Sequence, residues 1–175
     1  IVRDWQDLGY LRQGTAVQRA ALEAIESSRL FEKLAEYSPV LAGTIPLDIA
    51  VDGSDLDVIC QAVDLQLFAE KVRLHFEGQS PFTLRYVDVR GRLTVVANFL
   101  HGGFEFELFA QDVSPWRQAA VRHMLVEARL LELGGPNFKA RVTEEKRAGL
   151  KTEPAFAKLL GLAGDPYKEL LRLGD

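Results

Sequence analysis

The residues best suited to chemistry lie in one short run, Gly53-Ser54-Asp55-Leu56-Asp57-Val58-Ile59. Asp55 and Asp57 stand two positions apart, with apolar residues between and after them. In a β-strand alternate side chains share a face, so both carboxylates point one way while Leu56 and Val58 enter the core. Their Cα atoms are then roughly 6.5 Å apart at the usual strand rise. From that spacing carboxylates can converge on divalent ions held about 3.5–4 Å apart, the separation used in two-metal phosphoryl chemistry. By itself such a pair reads as a polar strand end beside a turn, and only its companions change that.

Three companions fall where the chemistry needs them. Gly43-Thr44 ends a predicted short strand, and ten residues separate Thr44 from Asp55. A glycine there lets backbone approach a phosphate closely, and the Thr44 hydroxyl can donate to it. Ser54 supplies a further hydroxyl beside the aspartates. The run Phe104-Glu105-Phe106-Glu107-Leu108-Phe109 alternates strictly, so Glu105 and Glu107 share one face and Phe104, Phe106 and Leu108 the other. A third carboxylate from that strand completes a cage of hard oxygen ligands suited to Mg²⁺ or Mn²⁺. Glu107 is the preferred third ligand and Glu105 the alternative, because Glu105 sits nearer the Gly102-Gly103 turn. A one-residue register shift would move both to the wrong face.

The elements that must position these groups can be read from spacing and punctuation. Residues 1–14 form an arm or short helix docked by Trp5 and Tyr10. Thr15 and Gln18 have the spacing of a capping box and open a helix whose stripe includes Leu22 and Ile25. Residues 39–42 read as a short buried strand, 45–54 as a loop, and 56–60 as a second strand. Asp64 caps a helix carrying Leu65, Phe68, Val72 and Phe76. Three strands follow, at 83–89, 93–100 and 104–109. Ser114-Pro115 opens a long helix that ends at Gly134-Gly135-Pro136. A second helix covers 137–148, and Thr152-Glu153-Pro154 and Asp165-Pro166 start two more. The expectation is an α+β fold with a mixed β-sheet flanked by helices and a C-terminal helical part. The expected division is a core over residues 1–112 and a helical subdomain over 113–175 packed on it.

Composition bounds the function class. The chain has 175 residues, 47% hydrophobic and 26% charged, with a net charge of −4. That suits a globular chain with a full core and argues against a general nucleic-acid binder, which is usually basic. The single cysteine, Cys60, follows the apolar run Val58-Ile59 and is expected to be a buried, inert thiol. No stretch approaches the ~20 apolar residues of a membrane span and no signal peptide is visible, so a cytoplasmic location without membrane partners is expected. Oligomeric state is not legible.

Taken together, Ala42-Gly43-Thr44, then Asp55-Leu56-Asp57-Val58, then Phe104-Glu105-Phe106-Glu107-Leu108 resemble the nucleotidyltransferase superfamily related to DNA polymerase β. That likeness covers about residues 40–110. A wider set resembles a bacterial family of uncharacterised nucleotidyltransferase-like proteins. It comprises Ala42-Gly43-Thr44-Ile45-Pro46, Gly53-Ser54-Asp55-Leu56-Asp57, Val96-Ala97-Asn98-Phe99, Phe106-Glu107-Leu108-Phe109, Arg122-His123-Met124 and residues 149–156. The resemblance implies the polymerase β-like fold, an NTP substrate and Mg²⁺ or Mn²⁺. Asp55, Asp57 and Glu107 (or Glu105) would hold the metals, and Gly43, Thr44, Ser54 and Lys151 the nucleotide. The implied reaction is in-line attack of an acceptor hydroxyl on the α-phosphorus, with pyrophosphate leaving. The superfamily usually has Gly or Ser where this chain has Thr44. The acceptor, small molecule or macromolecule, is not named by the resemblance. A catalytically idle nucleotide- or partner-binding module, or a toxin or antitoxin component, is the alternative.

Other polar residues have plainer expectations. Asp48 and Asp52 read as loop-solvated acids. His123 and Glu127 stand four apart on one helix and read as a hydrogen-bonded structural pair, with a role near the substrate as the alternative. Lys139, Arg141, Lys146, Arg147 and Lys151 read as a solvated helix face, with Lys146, Arg147 or Lys151 reaching the triphosphate as the alternative. Glu153 reads either as a base for the acceptor hydroxyl or as a helix-start acid beside the dipole. Trp116, Phe138 and Phe156 read as core.

Overall fold

A computed structural model describes residues 3–175; of the expected N-terminal arm, Ile1 and Val2 lie outside the described residues. The chain runs α1 (Gly9–Arg12), α2 (Ala16–Ser28), α3 (Leu30–Lys33), β1 (Val40–Ala42), β2 (Leu56–Gln61), α4 (Leu65–Phe76), β3 (Phe82–Val89), β4 (Arg92–His101), β5 (Phe104–Gln111), α5 (Ala119–Arg147), α6 (Thr152–Leu160) and α7 (Pro166–Leu173). The five strands form one sheet in the order β1-β2-β5-β4-β3. Only β2 and β5 are parallel; the other three pairings are antiparallel.

The period of two decides which face each strand residue joins. Leu56, Val58 and Cys60 of β2, with Phe106, Leu108 and Ala110 of β5, are buried against Phe68, Val72 and Phe76 of α4 and Leu22 and Ile25 of α2. Phe76, Phe99 and Phe106 stack in series on this side, with centroids 4.7 and 5.1 Å apart. The opposite face carries Val40, Ala42 and Ile59, which pack against Val121, Met124 and Val142 of α5, Phe156 of α6 and Leu170 of α7. Asp57 therefore faces the C-terminal helices, not the α2/α4 side.

Local signals act as expected at most boundaries. Thr15 accepts from Gln18 N–H while the Gln18 side chain accepts from Thr15 N–H, completing the capping box. Asp64 accepts from Leu67 N–H at 2.9 Å and starts α4. Phe156 is fully buried, its ring 5.8 Å edge-on from that of Phe138, and Trp116 packs on the same cluster. Cys60 is fully buried, and burial pushes its thiol up to about 12.

One expectation about α5 changes. Ser114-Pro115 starts only a 3₁₀ turn, Pro115–Arg117, and α5 begins at Ala119. Gln118 intervenes because its side-chain N–H groups bridge the carbonyls of Cys60 (2.8 Å) and Val113 (2.9 Å), which pins the start of α5 to β2. The break expected at Gly134-Gly135-Pro136 is present: α5 consists of two helical halves that meet at a kink there. Gly135 takes φ 68° and ψ −170°, and Pro136 lies inside the element. A proline cannot donate to the preceding turn and crowds it, so the axis bends one residue earlier, where glycine tolerates positive φ.

Candidate functional site

The carboxylates assemble through strand register. Asp57 of β2 sits directly beside Glu107 of β5 in the parallel pair, and Ala42 of β1 is its partner on the other side. Asp55 lies two residues before Asp57, at the mouth of β2. Gly43 follows Ala42 with φ 83°, and a Cβ there would overlap the Asp57 carboxylate. Only glycine lets the β1 turn close on Asp57. The loop behind it is braced from several sides. Ile49 N–H donates to the Thr44 carbonyl at 3.2 Å, and the Gln18 amide donates to the Ile45 carbonyl at 2.9 Å. Ser54 Oγ accepts from Val51 N–H at 2.9 Å, so this hydroxyl closes a turn while lining the cleft.

Glu107 and Glu105 differ in setting. Asn98, the cross-strand partner of Glu107, donates to Glu107 Oε2 at 3.2 Å and also lies 3.5 Å from Glu105 Oε1. Arg85 of β3 donates in turn to Asn98 Oδ1 at 3.0 Å. Glu107 is half-buried beside Asp57, whereas Glu105 is exposed and lies beyond the first register pair of β2 with β5. Among the described residues, no three His, Cys, Asp or Glu side chains are gathered closely enough to hold a metal ion as they stand. Like-charge repulsion among Asp55, Asp57 and Glu107 opposes closing the expected cage.

Between this strand end and the C-terminal helices lies a cleft of about 890 Å³. Gly43, Thr44, Ser54, Asp55, Asp57 and Glu107 line the sheet side, and Glu127, Lys146, Lys151 and Glu153 the helical side. The expected site residues are thus brought together, with Glu105 outside. Lys151 is exposed on the rim at the start of α6.

Burial and like charge dominate the electrostatics. Desolvation, then the charges of Asp55, Glu107 and Glu153, push the Asp57 carboxyl up to about 8, against a smaller opposing pull from Lys146. Glu127 is raised well above the usual carboxylate range, chiefly by burial. Lys146 is 7% exposed, and burial lowers its ammonium to about 8 although Glu127, Glu153, Asp55 and Asp57 all pull the other way. Lys146 therefore does not lie on a solvated face. The bend at Gly135 turns the second half of α5 so that it faces the cleft, while Arg147 stays exposed.

Three further expectations are corrected. His123 does not bond Glu127. Its Nε2 lies 2.8 Å from the Tyr167 carbonyl and its Nδ1 lies 3.8 Å from Glu153 Oε1, while Glu127 Oε1 is buried without a hydrogen-bond partner among the described residues. Asp48 is not free in solvent. It accepts from Lys139 Nζ at 2.6 Å and from the Thr15 hydroxyl at 3.0 Å, tying the loop after Thr44 to α5 and α2. Lys139 in consequence is an ion-pair partner and not part of a solvated basic face. Asp52 is exposed as expected. Lys146 and the Asn98 bridge carry no local sequence signal of their role. Both become evident only when α5 and β4 are placed against the strand ends.

The sheet order, the mixed pairing and the flanking helices define the polymerase β-like nucleotidyltransferase fold, and solved structures share it. The crystal structure of Cid1 poly(U) polymerase with MgGTP bound superimposes with a TM-score of 0.57 at 12% identity, covering 79% of this chain and 46% of that one. The structure of Cid1 in complex with its short product ApU gives 0.51 at 12% identity, over 78% of this chain and 44% of that one. The polymerase core of TRAMP, an RNA surveillance complex, gives 0.51 at 12% identity, over 95% and 59%. The chain thus spans roughly half the length of these structures. No curated protein matches it. Residues 23–173 match the family described as "Domain of unknown function (DUF4269)", and the chain belongs to that family. Among the described residues no helix is long and apolar enough to cross a membrane.

Proposed function

We propose that the protein is a metal-dependent nucleotidyltransferase that moves a nucleoside monophosphate from an NTP to a hydroxyl-bearing acceptor. The observation that carries this is the Asp57–Glu107 register pair, with Gly43 held against Asp57 at the floor of the cleft. The fold shared with Cid1 and the TRAMP polymerase core supports the same reading. Asp55, Asp57 and Glu107 are the ligands for Mg²⁺ or Mn²⁺, and their hard oxygens suit those ions. The donor set fits a cation, because buried like charges raise the Asp57 carboxyl and a bound cation would turn that repulsion into attraction. When bound, the metals neutralise phosphate charge and acidify the acceptor hydroxyl.

The chain's own residues do the rest. Gly43 lets backbone approach the phosphates, and the Thr44 and Ser54 hydroxyls donate to them. Lys151 at the rim and Lys146 deeper in the cleft supply positive charge to the triphosphate, Lys146 where low dielectric strengthens it. Asn98 holds Glu107 toward the site. The helices after residue 112 act as a C-terminal part that closes over the core and selects the acceptor. The net charge of −4 favours a small-molecule or protein acceptor over long nucleic acid.

Calorimetry with each NTP, with and without Mg²⁺ or Mn²⁺, tests this. Binding that requires the metal, and that Asp55→Asn with Asp57→Asn removes while the fold persists, is the expected result. Binding indifferent to metal and to both substitutions would exclude this chemistry and leave an idle binding module.

A further inference from the structure

We propose that Glu153, oriented by His123, is the group that takes the proton of the acceptor hydroxyl, an inference that rests on the transfer reaction above. Glu153 lies in the first turn of α6, lines the cleft opposite the strand carboxylates, and keeps 20% of its side chain exposed. Its charge acts on Asp57 of β2, Glu127 and Lys146 of α5, and Tyr167 of α7. One carboxylate thus reaches groups on three other elements at the point where they converge on the cleft. None of the roles assigned to Asp55, Asp57 and Glu107 uses it.

The neighbouring histidine stands behind Glu153, placed to share a proton with it. The Tyr167 carbonyl can only accept, so His123 Nε2, 2.8 Å away, is the donor and carries the hydrogen. In the neutral ring Nδ1 is then a lone-pair atom, and it faces Glu153 Oε1 at 3.8 Å. Two acceptors turned toward each other leave a place for one proton between them. A carboxylate that merely complemented the α6 dipole would need no buried histidine fixed in that tautomer. Both side chains line the cleft, but that of Glu153 is 20% exposed and that of His123 only 7%, so Glu153 meets the acceptor and His123 is a positioning residue.

The step balances. The acceptor oxygen forms a bond to the α-phosphorus, the bond from the α-phosphorus to the bridging oxygen breaks, and pyrophosphate leaves with that electron pair. The hydroxyl proton passes to Glu153 and is shared with His123 Nδ1. Besides His123, the titratable groups Asp57, Glu127, Lys146 and Tyr167 face Glu153 during this transfer.

Two measurements test the proposal. The first is pyrophosphate release from Mg²⁺-ATP and the other Mg²⁺-NTPs, with water and glycerol as probe acceptors. Glu153→Gln should lower the rate by about 10²–10⁴-fold, with metal-dependent NTP binding unchanged. Glu153→Asp should recover part of the rate. A Glu153→Gln protein that keeps the wild-type rate overturns the proposal. The second is ¹⁵N NMR of the three histidines, His75, His101 and His123, which needs no turnover and no variant to read the tautomer. His123 should carry its hydrogen on Nε2, and Glu153→Gln should move the Nδ1 resonance of His123 alone. An Nδ1–H tautomer in the wild type, or an Nδ1 resonance indifferent to residue 153, overturns the pairing. Absence of metal-dependent NTP binding would instead refute the transfer reading, and the NMR result would still decide the pair.

Discussion

Asp57→Asn should stabilise the metal-free protein while removing its metal-dependent chemistry, and the two effects should separate by pH. Burial and the charges of Asp55, Glu107 and Glu153 raise the Asp57 carboxyl from 3.8 to about 8. The folded chain therefore holds that proton across a window in which the unfolded chain has lost it. Stability falls as pH rises from the lower value to the upper one and stays low above it. At about 1.4 kcal/mol per pKa unit the ceiling is ~6 kcal/mol. Water reaching the open cleft screens the charge, and on the order of 3 kcal/mol is expected. For a chain of this size that is roughly 6–12 °C in Tm. The buried Glu127 titrates with the same sign, but it is present in both proteins and cancels in their difference. Thermal or urea unfolding of both proteins in chelator is the assay. Asn should be close to neutral near the lower end of the window and stabilising above its upper end. Adding Mg²⁺ above the window should stabilise the wild type and leave Asp57→Asn unchanged. A variant destabilised equally at every pH would refute the reasoning, because Asp57 would then be held by favourable contacts rather than strained by like charge.

Other substitutions separate the parts of the site. Gly43→Ala places a methyl against the Asp57 carboxylate at a φ of 83°, so it should cost about 1–2 kcal/mol in urea unfolding and abolish metal-dependent NTP binding by calorimetry. Glu107→Gln should weaken Mg²⁺-dependent binding by at least tenfold, whereas Glu105→Gln, at an exposed position, should leave it near wild type. Lys146→Met should weaken triphosphate binding in calorimetry while changing stability little, since a buried ammonium, without an ion pair among the described residues, is replaced by an apolar chain of similar length. Phe156→Ala should cost about 3–5 kcal/mol in urea unfolding, because the ring fills the cluster between α5, α6 and β1.

What could be read from the sequence, and what could not, divides along a physical line. The α4 and α2 caps, the β5 alternation and the turn at Gly43 follow from rules that act within a few residues: a capping side chain, a period of two, a glycine turn; the adjacency of Asp57 to Glu107 and Ala42 is set by the register of β2 with β5 and β1. The start of α5 is not legible locally, because Ser114-Pro115 suits a 3₁₀ turn as well as an α-helix, and the choice is made by Gln118 bonding to Cys60, far away in sequence. His123 and Glu127 have the spacing of a helical pair, yet the Tyr167 carbonyl and Glu153 arrive from α7 and α6 and take His123 instead. Lys146 stands among the charged residues Glu144, Glu145 and Arg147 and looked solvated. Its burial depends on the bend at Gly135, which turns one face of the helix toward the cleft.

The central claim is that the carboxylates of β2 and β5 hold metal for a nucleotide phosphate. Isothermal titration of NTP into the wild-type protein and into Asp55→Asn/Asp57→Asn, each with Mg²⁺ and with chelator, tests it most directly. The account predicts binding only for the wild type and only with the metal. Equal NTP binding in all four titrations, or none in any of them, would contradict it.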